Sequence, residues 1–288
     1  MKALKCLIFI LFISITFSNY AQRNFDDVTI ETTKISDNVY MLVGSGGNIG
    51  VSAGNDGVLV IDNQFAPLTP KILEAIKSLS DKPIKIVMNT HHHGDHTGGN
   101  ENFGKLGSTI IAHDNVKKRL EAERPKIALP VITFNDKLHV TINGEDVAVF
   151  HVENAHTDGD ALLYFTESNV LHTGDTYFNG GYPYIDLNSG GSVDGYINAI
   201  KSGLMVIDDD TKIIPGHGKI SNKTEYESYL KMLETLKTIV LAEIKKGKTE
   251  EEVANNESIT KKLDDLGYGK GFINGERIRR IYYNSLKK

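Results

Sequence analysis

Apolar positions set out two rounds of strands followed by helices. From Val28 to Val51 short β-type runs alternate with Gly-rich turns: Val39 to Val43, then Gly44-Ser45-Gly46-Gly47, then Ile49 to Ala53. Gly57 to Asp62 is a continuous apolar run ending in an acid, the pattern of a buried strand. A helix follows, with Thr69 as its cap, Pro70 at its first position and Ile72, Leu73, Ile76 and Leu79 on one stripe. Ile84 to Met88 reads as a second buried strand, Thr109 to Ala112 as another, and Asn115 to Glu123 as a helix.

The second round begins with a hairpin, Leu138 to Ile142 and Val147 to Val152 about Asn143-Gly144. Strands over Ala161 to Phe165 and Asn169 to His172, a helix over Ser192 to Leu204 and a strand over Lys212 to Ile214 follow. A long helix spans about Thr224 to Lys246, Thr249 with Glu252 forms a capping-box pattern, and Glu276 to Leu286 reads as a last helix. Two halves, each a sheet with helices on one outer face, give an α/β fold: a four-layer αβ/βα sandwich. The pattern predicts one domain over residues 22–288.

Residues 1–21 have the pattern of a signal peptide. Lys2 and Lys5 precede an apolar stretch from Leu7 to Phe17, and Ser18 to Ala21 supplies a cleavage region. That stretch is shorter than the ~20 apolar residues that cross a bilayer. The expectation is therefore a periplasmic or secreted protein with no stable membrane insertion after cleavage. Cys6 is the only cysteine, so the mature chain would offer no disulfide, thiol nucleophile or thiolate. The net charge of -5 argues against a nucleic-acid partner held through phosphates and leaves a small-molecule substrate.

The chemistry concentrates in Thr90-His91-His92-His93-Gly94-Asp95-His96-Thr97-Gly98-Gly99, just past the end of a strand. His91 and His93 lie two apart and point the same way in extended backbone. Asp95 and His96 follow a glycine that permits a sharp turn toward a second position. Imidazole and carboxylate suit zinc. His156, Asp175 and His217 each sit in a Gly-rich turn or follow a strand-like run farther along. His92 is read as a bystander, His139 and His151 as packed or exposed, His172 as packed beneath the Gly-Asp turn, and Asp158 and Asp160 as stabilisers of the turn after His156. Asp62 is either a hydrogen-bond partner of a ligand histidine or a turn acid. Tyr182 and Tyr184, on the Gly-rich stretch after Asp175, either line a substrate cleft or cover the core.

The run His-x-His-x-Asp-His, a lone histidine about 60 residues on, then Gly-Asp and Gly-His-Gly, resembles the metallo-β-lactamase superfamily over roughly Val28 to Glu234. The resemblance implies the same four-layer sandwich and two zinc ions per chain. His91, His93 and His156 would hold the first ion and Asp95, His96 and His217 the second, with Asp175 bridging. A zinc pair about 3.5–4 Å apart would supply a metal-bound hydroxide to attack a carbonyl, with Asp95 orienting it and accepting its proton.

Fold alone does not fix the substrate. Some β-lactamases of the family carry a cysteine where Asp175 stands, and Thr176-Tyr177-Phe178 supplies no lysine for a drug carboxylate. An exported zinc hydrolase of a cyclic amide or ester, β-lactam- or lactone-like, is therefore expected. Two other classes stay open: a mononuclear-iron persulfide dioxygenase, and a non-catalytic zinc-binding protein on the same scaffold.

Overall fold

A computed structural model describes residues 24–287. The leader reading lies outside them. Seven strands form one sheet in sequential order: β1 (Glu31–Lys34), β2 (Val39–Val43), β3 (Ile49–Gly54), β4 (Gly57–Ile61), β5 (Ile84–Met88), β6 (Thr109–His113) and β7 (Ile132–Phe134). β1 to β4 are antiparallel, and β4 to β7 run parallel. Helices α1 (Thr69–Leu79), α2 (Gly94–Thr97), α3 (Asn100–Lys105) and α4 (Asp114–Leu120) lie in the connections of that half.

The second sheet has six strands: β8 (Lys137–Ile142), β9 (Glu145–His151), β10 (Ala161–Phe165), β11 (Val170–His172), β12 (Lys212–Ile214) and β13 (Ser221–Asn222), in the order β13-β12-β11-β10-β9-β8. Here only β11 and β12 are parallel. The turn between β8 and β9 is Asn143-Gly144, both at positive φ, which matches the twist of a tight hairpin. Helices α5 (Val193–Leu204), α6 (Lys223–Lys245), α7 (Glu250–Ala254), α8 (Lys261–Asp265) and α9 (Gly275–Leu286) complete the second half.

Three large apolar clusters give the four layers. Met41, Leu59, Ile61 and Met88 of the first sheet meet Val147, Val149, Leu163 and Phe165 of the second. Their neighbours in the first sheet, Leu42, Val58, Val60 and Val87, pack instead on Leu68, Ile72 and Ile76 of the α1 segment and Phe103 of α3. Period-2 alternation of the strands explains why one strand feeds both layers. On the far side Leu162, Leu171 and Ile213 pack under α5, α6 and α9. The α/β sandwich read from the sequence is the observed fold. The short elements β7, β13, α2, α3 and α8 were not read from the sequence, and among those that were, α1 includes Thr69, with Leu68 at the cap, α4 stops at Leu120, and α6 is one residue earlier. The Thr249–Glu252 capping box is present.

Candidate metal centre

Parallel pairing places the carboxyl ends of β4, β5 and β6 at one rim of the first sheet, and those of β11 and β12 at one rim of the second. Chain ends there are free to carry ligands. The Ala161 amide donates to the Thr90 carbonyl (2.9 Å), and the Asn48 amide to the Gly216 carbonyl (2.7 Å), so the two rims are hydrogen-bonded together. His91, His93, Asp95 and His96 come from the first rim, and His156, Asp175 and His217 from the second.

Ligand atoms of His91, His93, His156 and Asp175 gather within 4.8 Å of one another, as do those of Asp95, His96 and His217. Asp175 spans the two groups. Its Oδ2 lies 3.8 Å from His91 Nε2 and 3.6 Å from His156 Nε2, and its Oδ1 lies 3.0 Å from His96 Nε2 and 3.4 Å from His217 Nε2. Asp95 Oδ2 stands 3.3 Å from His217 Nε2 and 3.7 Å from His96 Nε2. Two ligands each 2.0–2.1 Å from one tetrahedral ion stand roughly 3.3 Å apart. The observed spacings scatter around that value.

Hydrogen bonds behind the rings fix which nitrogen is bare. The Thr90 hydroxyl donates its proton to Asp62 Oδ2 (2.7 Å), so it can only accept from His91 Nδ1 at 3.0 Å. The Tyr184 carbonyl accepts from His156 Nδ1 (2.6 Å). The carboxylates of Asp62 and Asp186 take His96 Nδ1 (2.7 Å) and His93 Nε2 (3.1 Å). In neutral rings, His91 Nε2, His93 Nδ1, His96 Nε2 and His156 Nε2 therefore carry lone pairs. His93 Nδ1 and His156 Nε2 face each other at 2.9 Å. Among the described residues buried His91 Nε2 has no hydrogen-bond partner, and His96 Nε2 and Asp175 Oδ1, 3.0 Å apart, can satisfy each other only with a proton between them. A buried orphan is costly, and a cation among these atoms removes the cost. The donor set fits metal ions.

Charge follows the same division. Burial and the neighbouring His96 hold His91 far below the ordinary histidine range, and burial lowers His93 and His156. Burial also opposes protonation of His96, but Asp175, Asp95 and Asp62 outweigh it and raise His96 well above that range. His217 is raised to about 9 against burial by Asp175 and its bonds to Asp175 and Asp95. Burial works against ionisation of Asp95, yet His96 and His217 lower it to about 2. Metal ions would displace protons chiefly from the His96 and His217 side.

Glycines make the room. A Cβ on Gly47 would stand 2.1 Å from His96 Cε1, and one on Gly216 2.2 Å from Asp175 Oδ1.

A cavity of about 910 Å³ opens over His93, Asp95, Asp175 and His217, with aromatic walls from Phe25, Phe65, Phe178, Tyr182, Tyr184 and Phe272. Tyr184 stacks on His93, ring centroids 5.9 Å apart, and Phe178 on His217 at 5.0 Å. Tyr182 is placed differently from a substrate-facing hydroxyl. Its ring reaches the wall, but it is buried and its hydroxyl turns away to donate to Asp264 (2.9 Å). Asp62 is the hydrogen-bond partner of His96, not a turn acid at large. His113 stays out of the cavity, capping α4 and stacking on His151 at 3.8 Å. His172 lies buried beneath the Gly-Asp turn, where its Nδ1 accepts from the Gly174 amide. His92 Nε2 lies 3.5 Å from Ser189 Oγ, turned from the two groups around Asp175. His92 does gather with His93 and Asp186 in a third possible ligand group. Asp158 grips Arg119 bidentately, and Asp160 accepts from the Thr157 amide and hydroxyl.

Asp186 escaped the sequence reading as a functional residue, as did the support of Asp175 by Tyr196, whose hydroxyl donates to the Asp175 carbonyl (2.9 Å).

The profile of the metallo-beta-lactamase superfamily matches residues 42–217, which hold all seven converging residues. This chain belongs to that superfamily. Among curated relatives it is 33% identical over 148 residues to a hydroxyacylglutathione hydrolase of Pelagibacter ubique, covering 49% of this chain and 56% of the relative. It is 28% identical over 131 residues to the alpha subunit of a 2,4-dinitroanisole O-demethylase of Nocardioides sp., covering 44% and 40%. The chain thus spans about half the length of these relatives. Among solved structures it superposes on a metallo-beta-lactamase from Pontibacter korlensis with a TM-score of 0.64 at 19% identity, over 72% of this chain and 99% of that one. A sec-alkylsulfatase of Pseudomonas sp. gives 0.73 at 18%, over 88% and 50%. At such identities these structures establish the fold. The superfamily is one of metal-dependent hydrolases acting on small molecules.

Proposed function

We propose that this superfamily hydrolase is exported, holds two zinc ions and cleaves a cyclic amide or ester of the β-lactam or lactone kind. The observation that carries the reading is Asp175, which turns one oxygen to each of two histidine groups. His91, His93 and His156 would hold one ion, and Asp95, His96 and His217 the other. The ions would supply Lewis acidity, lowering the pKa of water and polarising a carbonyl.

The remaining work falls to side chains. Asp95 lines the cavity as an ionised carboxylate. Held near 2, it orients an attacking water by accepting its hydrogen bond more readily than it retains a proton. Asp62, Thr90, Asp186 and the Tyr184 carbonyl keep the ligand rings in the required tautomers. The aromatic walls exclude water from the reacting carbonyl and bind an apolar ring.

Export rests on the Lys2-to-Ala21 leader, and two zincs on a ligand set without thiolate. Sequencing the amino terminus of the protein recovered outside the cytoplasm tests the first. Elemental analysis of the purified protein tests the second: about two zincs per chain supports the reading, and one iron supports the dioxygenase. A screen of zinc-loaded protein on lactams, lactones, thioesters and phosphodiesters then tests the activity. A full zinc complement with no turnover of any of them favours the non-catalytic binder. The thioester arm answers to the hydroxyacylglutathione hydrolase relatives.

A further inference from the structure

Residues 24–30 precede β1, join no strand and stand outside the matched residues 42–217. Within them the Val28 amide closes a turn on the Phe25 carbonyl (3.2 Å). The turn is held from α1. Lys71 Nζ donates to the carbonyls of Phe25 (3.0 Å), Asp26 (2.6 Å) and Val28 (2.7 Å). An ammonium has three protons, and here each has an acceptor. Lys71 is the third residue of α1, where the helix dipole disfavours a cation. The first turn of α1 contains no acidic residue to offset this, and the three carbonyls do so. Apolar contacts of Val28 and Ile30 seat the segment on the α1 layer, and Lys71 fixes the backbone turn that carries Phe25. That turn lays the Phe25 ring against Phe65, centroids 5.3 Å apart, and both rings line the cavity that opens over Asp95 and His217. Phe65 has a rigid base of its own: its neighbour Gln64 is buried and donates to the Gly47 carbonyl (2.8 Å).

We infer that Lys71 is a positioning residue of the substrate site: by holding segment 25–28 it makes the Phe25 ring a wall of the cavity, and so sets how tightly the apolar body of a substrate binds. The inference rests on the hydrolase reading for the word substrate, but the wall does not require turnover. Lys71 touches neither the ligand nor the metal centre. It acts through three backbone carbonyls on the one ring that a ligand meets, so the ordering of that ring is settled before the ligand arrives.

Calorimetric titration of the zinc-loaded protein with two hydroxamates tests this without catalysis. Acetohydroxamate carries the metal-binding head alone, and 4-phenylbutanohydroxamate adds an aryl end. The expected result is at least about tenfold tighter binding of the aryl compound, a ratio that falls to within about threefold in Lys71→Met and in Phe25→Ala and is partly restored in Lys71→Arg. Phe25→Ala removes the ring and keeps the carbonyl that Lys71 holds, so the double variant should match Phe25→Ala alone. Chymotrypsin cleavage after Phe25, followed by mass spectrometry, should be faster in Lys71→Met than in the unaltered protein. A ratio unchanged in Lys71→Met overturns the inference, as does one that Lys71→Met lowers further in the Phe25→Ala background. Unaltered cleavage, or an aryl compound bound no tighter than acetohydroxamate by the unaltered protein, overturns it as well. A Lys71-dependent ratio without turnover of any screened substrate would instead count against the hydrolase reading alone.

Discussion

Asp62 Oδ2 sits 2.7 Å from His96 Nδ1, and both side chains are wholly buried. The contact depends on strand register. β4 and β5 are parallel with Ile61 beside Met88, and the Asp62 amide donates to the Met88 carbonyl. Asp62 adopts φ of +62°, uncommon outside glycine, and binds both the Thr90 amide and hydroxyl. One carboxylate therefore orients the supports of His91 and His96. Asp62→Asn should weaken zinc binding by about 10–100-fold, read by competition with a chromophoric chelator. Unchanged affinity at both positions would show that the ring orientation does not depend on this contact.

Removing the metal should destabilise the protein. Without ions, His91 Nε2 stays buried without a hydrogen bond, and His96 and Asp175 need a proton between them. Adding free zinc at ~100 times its Kd to chelator-treated protein should contribute about 2.7 kcal/mol. For a chain of this size that is a melting shift of roughly 5–10 °C. A melting curve insensitive to zinc would contradict the assignment of these atoms as ligands.

Gly216→Ala should cost both metal and stability. Its Cβ would sit 2.2 Å from Asp175 Oδ1 and 2.5 Å from the Gly174 carbonyl carbon. The carboxylate must turn, which disturbs the contacts to His96 and His217. We expect the bound zinc to fall toward one per chain and hydrolysis to drop by at least about 100-fold, with the circular dichroism spectrum retained. Elemental analysis showing a full complement would sink this account.

Asp95→Asn and His156→Ala should each abolish hydrolysis of whichever lactone or chromogenic β-lactam the screen identifies. The first loses an ionised carboxylate facing the cavity, the second a ring of the first ligand group. Wild-type turnover by either variant, shown to be metal-depleted, would refute the mechanism.

Asp160 gives a pH-dependent signal in metal-stripped protein. Burial raises its pKa from 3.8 to about 6, against the hydrogen bonds from Thr157. A raised folded pKa means that the folded state keeps its proton longer. The stability this confers is present in full below about 3.8 and is lost as pH rises through 6, on the order of 2–3 kcal/mol. Asp160→Asn should therefore gain on the wild type between pH 4 and 6 in urea unfolding. Parallel stability curves would rule the effect out.

Local chemistry explains what was legible in the chain. The strand before His91, the Asn143-Gly144 hairpin and the Gly-rich turns at Asp175 and His217 carry their signals within a few residues. The parts that were not legible depend on elements distant in sequence. Asp186 meets His93 only because the loop after Asp175 returns across the first rim. Tyr182 could not be assigned from its neighbours, since its hydroxyl answers to Asp264 on α8. Asp62 was ambiguous until the β4–β5 register placed it against Thr90.

The ligand groups draw on both sheets, with Asp175 between them. A pair of ions bound there would act as a cross-link between halves of the chain whose ligands lie at least 60 residues apart in sequence. Each half alone keeps only part of either coordination shell. Chelation should consequently loosen the seam between the sheets before it melts either one, and the seam is where protease susceptibility and amide exchange should first rise.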